Sequence, residues 1–271
     1  MENQVVLITG STDGIGKAAA IEAARRGAAV IVHGRSAERV SAVQREISGI
    51  TGSEPNGVIA DFSSLKEVQD LAGRLLRELP RLDVLINNAG IISRTRKTSD
   101  DGYELTFAVN HLAPFLLTTS LLELLRRNAP ARVVTVSSMV HHGARVDFDD
   151  LMQERGYDGM RAYGQSKLAN VLFTMELARR ESVAPGGEVT AVALHPGVIN
   201  TKVLHEFFSG GAPVSQGADN VLTPALDPRY TDATGVYFSG GRPETADPAG
   251  TDPEAARKLW EVSAQLCDQA L

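Results

Sequence analysis

The sequence predicts an α/β fold, a doubly wound parallel sheet of about seven strands with helices on both faces. Three observations predict it. Runs of β-formers alternate with helix-forming runs from one end of the chain to the other, which favours a parallel sheet. No repeat, low-complexity tract or Pro/Ser-rich linker divides the 271 residues, so 1–271 reads as one domain. Residues 4–35 form a βαβ unit whose glycines gather at the first turn.

Composition narrows the class. At 43% hydrophobic and 22% charged residues, the chain has the make-up of an ordinary globular protein. A net charge of -6 argues against a nucleic-acid surface. Cys267 is the only cysteine, which leaves no intrachain disulfide and no cysteine-based metal site. The six histidines show no metal-ligand spacing, and the adjacent His141-His142 pair reads as part of a loop. The first strand begins at residue 4, leaving no room for a signal peptide or membrane anchor. The most apolar stretch, Leu112 to Leu125, reads as too short to span a bilayer and contains Glu123. The expectation is a cytoplasmic protein.

The elements follow in order. Gln4 to Thr9 is long enough for one buried strand, and Lys17 to Arg26 is a strong helix-forming run stopped by Gly27. Between them lies Gly10-Ser11-Thr12-Asp13-Gly14-Ile15-Gly16. Glycines there allow a sharp turn, bare backbone against a pyrophosphate and close helix-on-sheet packing, with free N–H groups at the helix start facing the phosphates. A P-loop would need four residues between its glycines and a hydroxyl after the lysine. Here five separate Gly10 from Gly16-Lys17, and Ala18 follows, so the turn reads as a dinucleotide site.

Residues 28–32 make the second strand, then a helix runs near 37–48. No acid that could hold a ribose 2′-OH lies between Gly27 and Arg35. Arg35, with Ser36, stands where a 2′-phosphate would lie, which suits a guanidinium. The third strand is 57–60, followed by Asp61-Phe62 and a helix near 64–79 that Asp61 could cap. The fourth, 82–86, ends in Asn87-Asn88-Ala89-Gly90, small and amide residues suited to backbone near a ligand. A long helix near 102–127 contains Pro114, which removes a donor to the Asn110 carbonyl and predicts a kink there. The fifth strand, 132–136, runs into Ser137-Ser138, and 139–161 reads as irregular. Tyr163 and Lys167, four apart, share one face of a helix reaching about residue 180. The sixth strand, 189–194, precedes Pro196-Gly197-Val198 and Thr201. A loose Gly/Pro-rich segment with Phe207-Phe208, a helix near 214–226, a strand at 236–238 and a terminal helix around Trp260 complete the chain.

The glycine turn, Asn88-Ala89-Gly90, Asn110, Ser138, Tyr163/Lys167 and Pro196 to Thr201 occur in one chain, most of them at carboxyl ends of strands. That ensemble resembles the classical short-chain dehydrogenase/reductase superfamily, with its Rossmann fold. Val109-Asn110-His111-Leu112, Lys167-Leu168-Ala169-Asn170 and Leu259-Trp260-Glu261-Val262-Ser263 resemble the retinol dehydrogenase-like subgroup. The resemblance implies Tyr163 as acid/base, and Lys167 on the nicotinamide ribose, its charge favouring tyrosinate. It also implies Ser138 polarising the substrate oxygen, Asn110 holding a relay water, Thr201 on the carboxamide and Asp61 facing the adenine.

Arg35 favours NADP(H) over NAD(H), whereas Asp13 occupies a turn position that often carries a base in NADP-preferring relatives. The expected reaction interconverts a carbonyl and an alcohol on an apolar small molecule, in a homodimer or homotetramer such as many relatives form. Segments near 139–161 and 202–222 are expected to cover the substrate, with Phe207 and Phe208 in a lid. The alternative is a catalytically idle NADP-sensing or interaction protein on the same fold.

Overall fold

The computed structural model describes residues 4–184 and 189–269. Among these residues eight strands form one sheet: β1 (Val5–Ile8), β2 (Ala29–Gly34), β3 (Asn56–Ile59), β4 (Val84–Asn87), β5 (Ala131–Val136), β6 (Val189–His195), β7 (Val236–Ser239) and β8 (Arg242–Glu244). Their order is β3-β2-β1-β4-β5-β6-β7-β8. The first seven run parallel, and β8 closes the edge antiparallel to β7. The winding reverses between β1 and β4. In such sheets a ligand crevice opens at that point, beyond the carboxyl ends of the strands.

Among the described residues nine α-helices cover the sheet: α1 (Gly14–Arg25), α2 (Ala37–Thr51), α3 (Leu65–Glu78), α4 (Leu105–Phe107), α5 (Ala113–Arg127), α6 (Gly159–Val183), α7 (Lys202–His205), α8 (Val214–Leu226) and α9 (Pro253–Leu266). Alternation along the strands builds two cores. Val6, Ile8, Val84 and Ile86 face one way, under α1, α2 and α8, while Leu7, Ile31, Leu85 and Val133 face the other, under α3, α5, α6 and α9. Small residues set the spacing on the first face. Ala19, Ala20 and Ala23 of α1 are buried, and a Cβ at Gly217 of α8 would come 2.9 Å from Ile15. On the second face Trp260 of α9 stacks on Phe173 at 5.8 Å and meets Phe115 edge-on at 5.0 Å.

Five expectations change. The long helix starts at Leu105 instead of 102, because the Glu104 carboxylate caps it by accepting from Thr106 N (2.8 Å) and Phe107 N (2.7 Å). In place of a simple proline kink it carries a π-turn over Ala108–Leu112, one widened turn just before Pro114. Helix α6 starts at Gly159, where Asp158 accepts from Arg161 N at 2.8 Å, so 159–161 belong to it and not to the irregular stretch. The 202–222 segment is not one lid, since Ala218, Val221 and Leu222 of α8 are core residues. The membrane argument from length also gives way. Leu105–Arg127 is long and apolar enough to cross a bilayer, but 83% of its most apolar stretch is buried, which marks a core helix.

Candidate active site

A cavity of about 1620 Å³ opens along the carboxyl ends of the central strands. Its two ends are built differently.

At the glycine turn, bare backbone is a steric requirement. Gly10 has φ +65°, and a Cβ there would sit 2.9 Å from Ala89 Cα. A Cβ at Gly16 would fall 2.4 Å from Asn88 Nδ2 and 2.5 Å from Gly10 O. These contacts press the turn against the end of β4. Thr9 Oγ1 accepts from Asn88 N (2.9 Å) and Ala89 N (3.0 Å), and Asn88 Nδ2 donates to Thr9 O at 2.8 Å. Asp13 caps α1 through Gly14 N at 2.9 Å, leaving the first-turn N–H groups of Ile15 and Gly16 outside the cap. Gly10, Thr12, Asp13, Gly14, Ile15 and Gly16 all line the cavity. Ser11 does not. It is buried, its N–H donating to His33 O at 2.9 Å and its Oγ accepting from His33 N at 2.9 Å, so it ties the turn to β2.

The charges beyond the turn are paired. Asp13 accepts from Lys202 Nζ at 2.5 Å, with Arg39 at 3.9 Å, and this bonding holds its carboxyl below the usual range. Arg35 is exposed and lies 3.6 Å from Asp61. Burial raises the Asp61 carboxyl, but the hydrogen bonds from Ser63 and the Arg35 charge outweigh it and the net shift is downward. Arg35, Arg39, Asp61 and Phe62 line this end. Ser36 does not, because its hydroxyl caps α2 by accepting from Arg39 N at 3.3 Å. Helix α3 is preceded by Ser64 at its N-cap, whereas Asp61 turns back onto Ser63 N at 2.9 Å, so the capping alternative for Asp61 fails.

The sequence reading missed two residues here. His33 Nδ1 accepts from Gly10 N at 3.0 Å, its ring rests 4.5 Å from Phe62, and burial pushes its pKa down to about 4. Arg39 is the other. It lies in the first turn of α2, just past the Ser36 cap, and nothing in its spacing from Arg35 marks it.

Ser138, Tyr163 and Lys167 line the opposite end, with Gly90 beside them. Ser138 follows β5 and accepts from Val140 N at 3.4 Å. Its carbonyl takes His141 Nδ1–H at 2.7 Å while His141 Nε2 accepts from Asp247 N at 3.1 Å, which fixes a neutral tautomer. Ser137 Oγ donates to Lys167 O at 2.6 Å, pinning α6 to the end of β5. Lys167 is 3% exposed, donates to Val136 O at 3.0 Å and sits 5.5 Å from the Tyr163 ring. Burial pushes Tyr163 up to about 12, against a smaller downward pull from hydrogen bonding to Ser138, and pushes Lys167 down to about 8. In this state burial, more than mutual attraction, sets both groups. Asn110 is fully buried. Its Oδ1 accepts from Ile91 N (2.8 Å), and its Nδ2 donates to Ile91 O (2.9 Å) and Ser166 Oγ (3.0 Å), so its amide braces the loop after β4.

Pro196, Gly197, Val198 and Thr201 form the third wall, with Gly197 at φ +100° and Thr201 capping α7 through Leu204 N at 3.3 Å. Helix α7 lines the cavity, tied to the turn by Lys202–Asp13, while just after it Glu206 pairs at 3.7 Å with Arg94 of the loop after β4, which covers the Phe207 ring at 5.1 Å. Phe207 packs beside Gly159; Phe208 lines the cavity but remains 56% exposed.

The fold and this arrangement define a dinucleotide-dependent oxidoreductase. The short chain dehydrogenase model matches residues 4–211, and the chain belongs to that family, whose members act on CH–OH donors with NAD(P). It is 39% identical to human retinol dehydrogenase 13 over 97% of this chain and 84% of that protein. It is 38% identical to DnrU of Streptomyces sp. (strain C5), for which a daunorubicin C-13 ketoreductase activity is proposed, over 97% of this chain and 92% of that one. Among solved structures, a short chain dehydrogenase of Escherichia coli CFT073 complexed with NADPH superposes with a TM-score of 0.73 at 27% identity, covering 89% of this chain and 97% of that one. The relatives place the chain beside the retinol dehydrogenases, as its motifs suggest.

Proposed function

We propose that this protein is an NADP(H)-dependent reductase of an apolar aldehyde or ketone, with Tyr163 as the acid/base. One observation carries the reading: a single cavity joins the Arg35/Arg39 end to Tyr163, Ser138 and Lys167. The glycine turn fits a pyrophosphate, because it lines the cavity and leaves the first-turn N–H groups of Ile15 and Gly16 outside the Asp13 cap. Arg35 and Arg39 would hold a 2′-phosphate. The Lys202 and Arg39 contacts offset the charge of Asp13, which otherwise points toward NAD. The cofactor supplies the hydride chemistry.

The chain's own residues do the rest. Ser138 Oγ orients and polarises the substrate oxygen, and Tyr163 Oη gives it a proton. With Tyr163 at about 12, that proton is in place across the neutral range. Leu105, Val109, Val140, Met160 and Leu204 make the substrate side apolar, which supports a hydrophobic substrate. The bonded pair Asn110–Ile91 keeps the loop after β4 against Lys167.

Steady-state kinetics with NADPH and a carbonyl panel test this. Tyr163→Phe should lower kcat by about 10²–10⁴-fold with the NADPH Kd little changed. In the reverse direction, kcat/KM for alcohol oxidation should climb about tenfold per pH unit through neutrality, since tyrosinate is the base. Near-normal turnover in Tyr163→Phe would end the reading.

A further inference from the structure

Three motifs singled out by sequence meet behind the catalytic wall: Asn110-His111, Lys167 to Asn170, and the run ending at Ser263. The π-turn carries Asn110 toward Ile91 and His111 into the core, 1% exposed, with Phe107 at 5.0 Å and Phe173 edge-on at 6.3 Å. There His111 Nε2 lies 2.7 Å from Ser263 Oγ of α9, itself fully buried. A turn further on, Cys267 Sγ donates to Leu112 O at 3.7 Å, so α9 meets a π-turn carbonyl as well.

The far side of the imidazole completes the chain. His111 Nδ1 and Asn170 Oδ1 are both buried without a well-formed hydrogen bond. Phe173, one turn along α6 from Asn170, lies 6.3 Å from the His111 ring, and the Asn170 side chain raises the imidazole against the burial that drives it down to about 3, so the Asn170 amide is on the His111 side of α6. One proton assignment serves all of them: Ser263 Oγ–H donates to Nε2, and Nδ1–H faces Asn170 Oδ1. Asn170 Nδ2 then donates to Val136 O at 3.2 Å, the same carbonyl that holds Lys167 Nζ at 3.0 Å.

A neutral, buried histidine adds nothing here through charge, and an apolar side chain would fill the volume as well. Directional bonds add orientation. We propose that His111 and Ser263 are positioning residues: α9, through the Ser263–His111 bond, fixes the π-turn that carries Asn110 and, through Asn170, the carbonyl that seats Lys167. This rests on the reading of Tyr163 as the acid/base. It makes the terminal helix part of the catalytic apparatus without touching substrate.

The test compares near-isosteres of graded hydrogen-bonding strength, Ser263→Cys and Ser263→Ala, in the full-length chain, measuring carbonyl reduction, NADPH Kd and Tm. We expect kcat to fall about tenfold in Ser263→Ala and less in Ser263→Cys, the scale of a small misplacement, with KM and Kd within about threefold. Should Ser263→Ala not fold, Ser263→Cys carries the same comparison against the parent. The double variant His111→Phe/Ser263→Ala should be no slower than His111→Phe alone, because the Ser263–His111 bond is already lost in that single variant. An unchanged kcat in folded Ser263→Ala overturns the proposal. So do equal losses in the two variants that track Tm. Both of those results leave the parent's Tyr163-dependent turnover standing; its absence would instead overturn the proposed function and this inference together.

Discussion

Lys167→Met should make the protein more stable while ending its activity. Lys167 Nζ has one acceptor, Val136 O, and among the described residues no carboxylate lies within ion-pair distance. Burial lowers its pKa from 10.5 to about 8, which corresponds to about 3 kcal/mol of cost for keeping the cation buried at neutral pH. Losing the hydrogen bond takes back roughly 1 kcal/mol. Val136 O is not orphaned, because Asn170 Nδ2 still donates to it at 3.2 Å. The net gain is about 2 kcal/mol at pH 7, or roughly 5 °C in Tm for a chain of this size.

The sign with pH is fixed by linkage. The folded state releases the lysine proton near 8 and the unfolded chain near 10.5. Between those values the unfolded state binds more protons, so this group's contribution to stability rises with pH. The advantage of Lys167→Met should therefore be full at pH 7 and shrink by about 2 kcal/mol by pH 9.5. Urea denaturation of both proteins at the two pH values reads this directly, and other titrating groups cancel in the difference. A Lys167→Met protein less stable than the parent at pH 7, or a gap that does not move with pH, would refute the reasoning.

Two further perturbations probe the other end of the cavity. Arg35→Asp replaces a phosphate partner with a like charge beside Asp61, so NADP affinity should fall about 10–100-fold with a relative gain for NAD; an unchanged Kd in a fluorescence titration rules Arg35 out as the phosphate ligand. Gly16→Ala drives a methyl to 2.4 Å from Asn88 Nδ2 and 2.5 Å from Gly10 O, which should cost about 1–3 kcal/mol of stability and abolish dinucleotide binding by calorimetry. Normal affinity there would show that the turn does not cradle the pyrophosphate.

The sheet and most of the cavity wall were legible because they depend on local patterning. Buried strands such as Val5–Ile8 announce themselves as β-branched runs, and their carboxyl ends fall where the small and polar motifs begin. Element starts were less legible because single side chains set them. Glu104 and Asp158 each stop one conformation and start another by capping, and neither belongs to a motif. Ser11 and Ser36 were misread for a related reason. A hydroxyl beside a phosphate site and a hydroxyl tying down backbone look alike in sequence, and only the fold shows both turned to main chain. The π-turn was the least legible. Pro114 marks a break in the helix but not the way it is resolved, and the bonds from Ser263 and Cys267 to that turn come from residues more than 150 positions away.

Charge was legible in sequence; desolvation was not. Tyrosine and lysine start with nearly equal reference values, so sequence alone supports an ion pair in which the ammonium favours tyrosinate. Burial moves them apart in the opposite sense, Tyr163 to about 12 and Lys167 to about 8, so between those values both groups are neutral. The resting site is thus set for proton donation. Reduction finds its acid already protonated at every physiological pH, whereas oxidation must draw on a tyrosinate fraction of about one in 10⁵ at pH 7. Only a gain in local positive charge, or a loss of burial, would bring the base form within reach. The asymmetry supports the proposed reductase reading independently of Arg35, because reduction draws on the acid form that burial keeps in place.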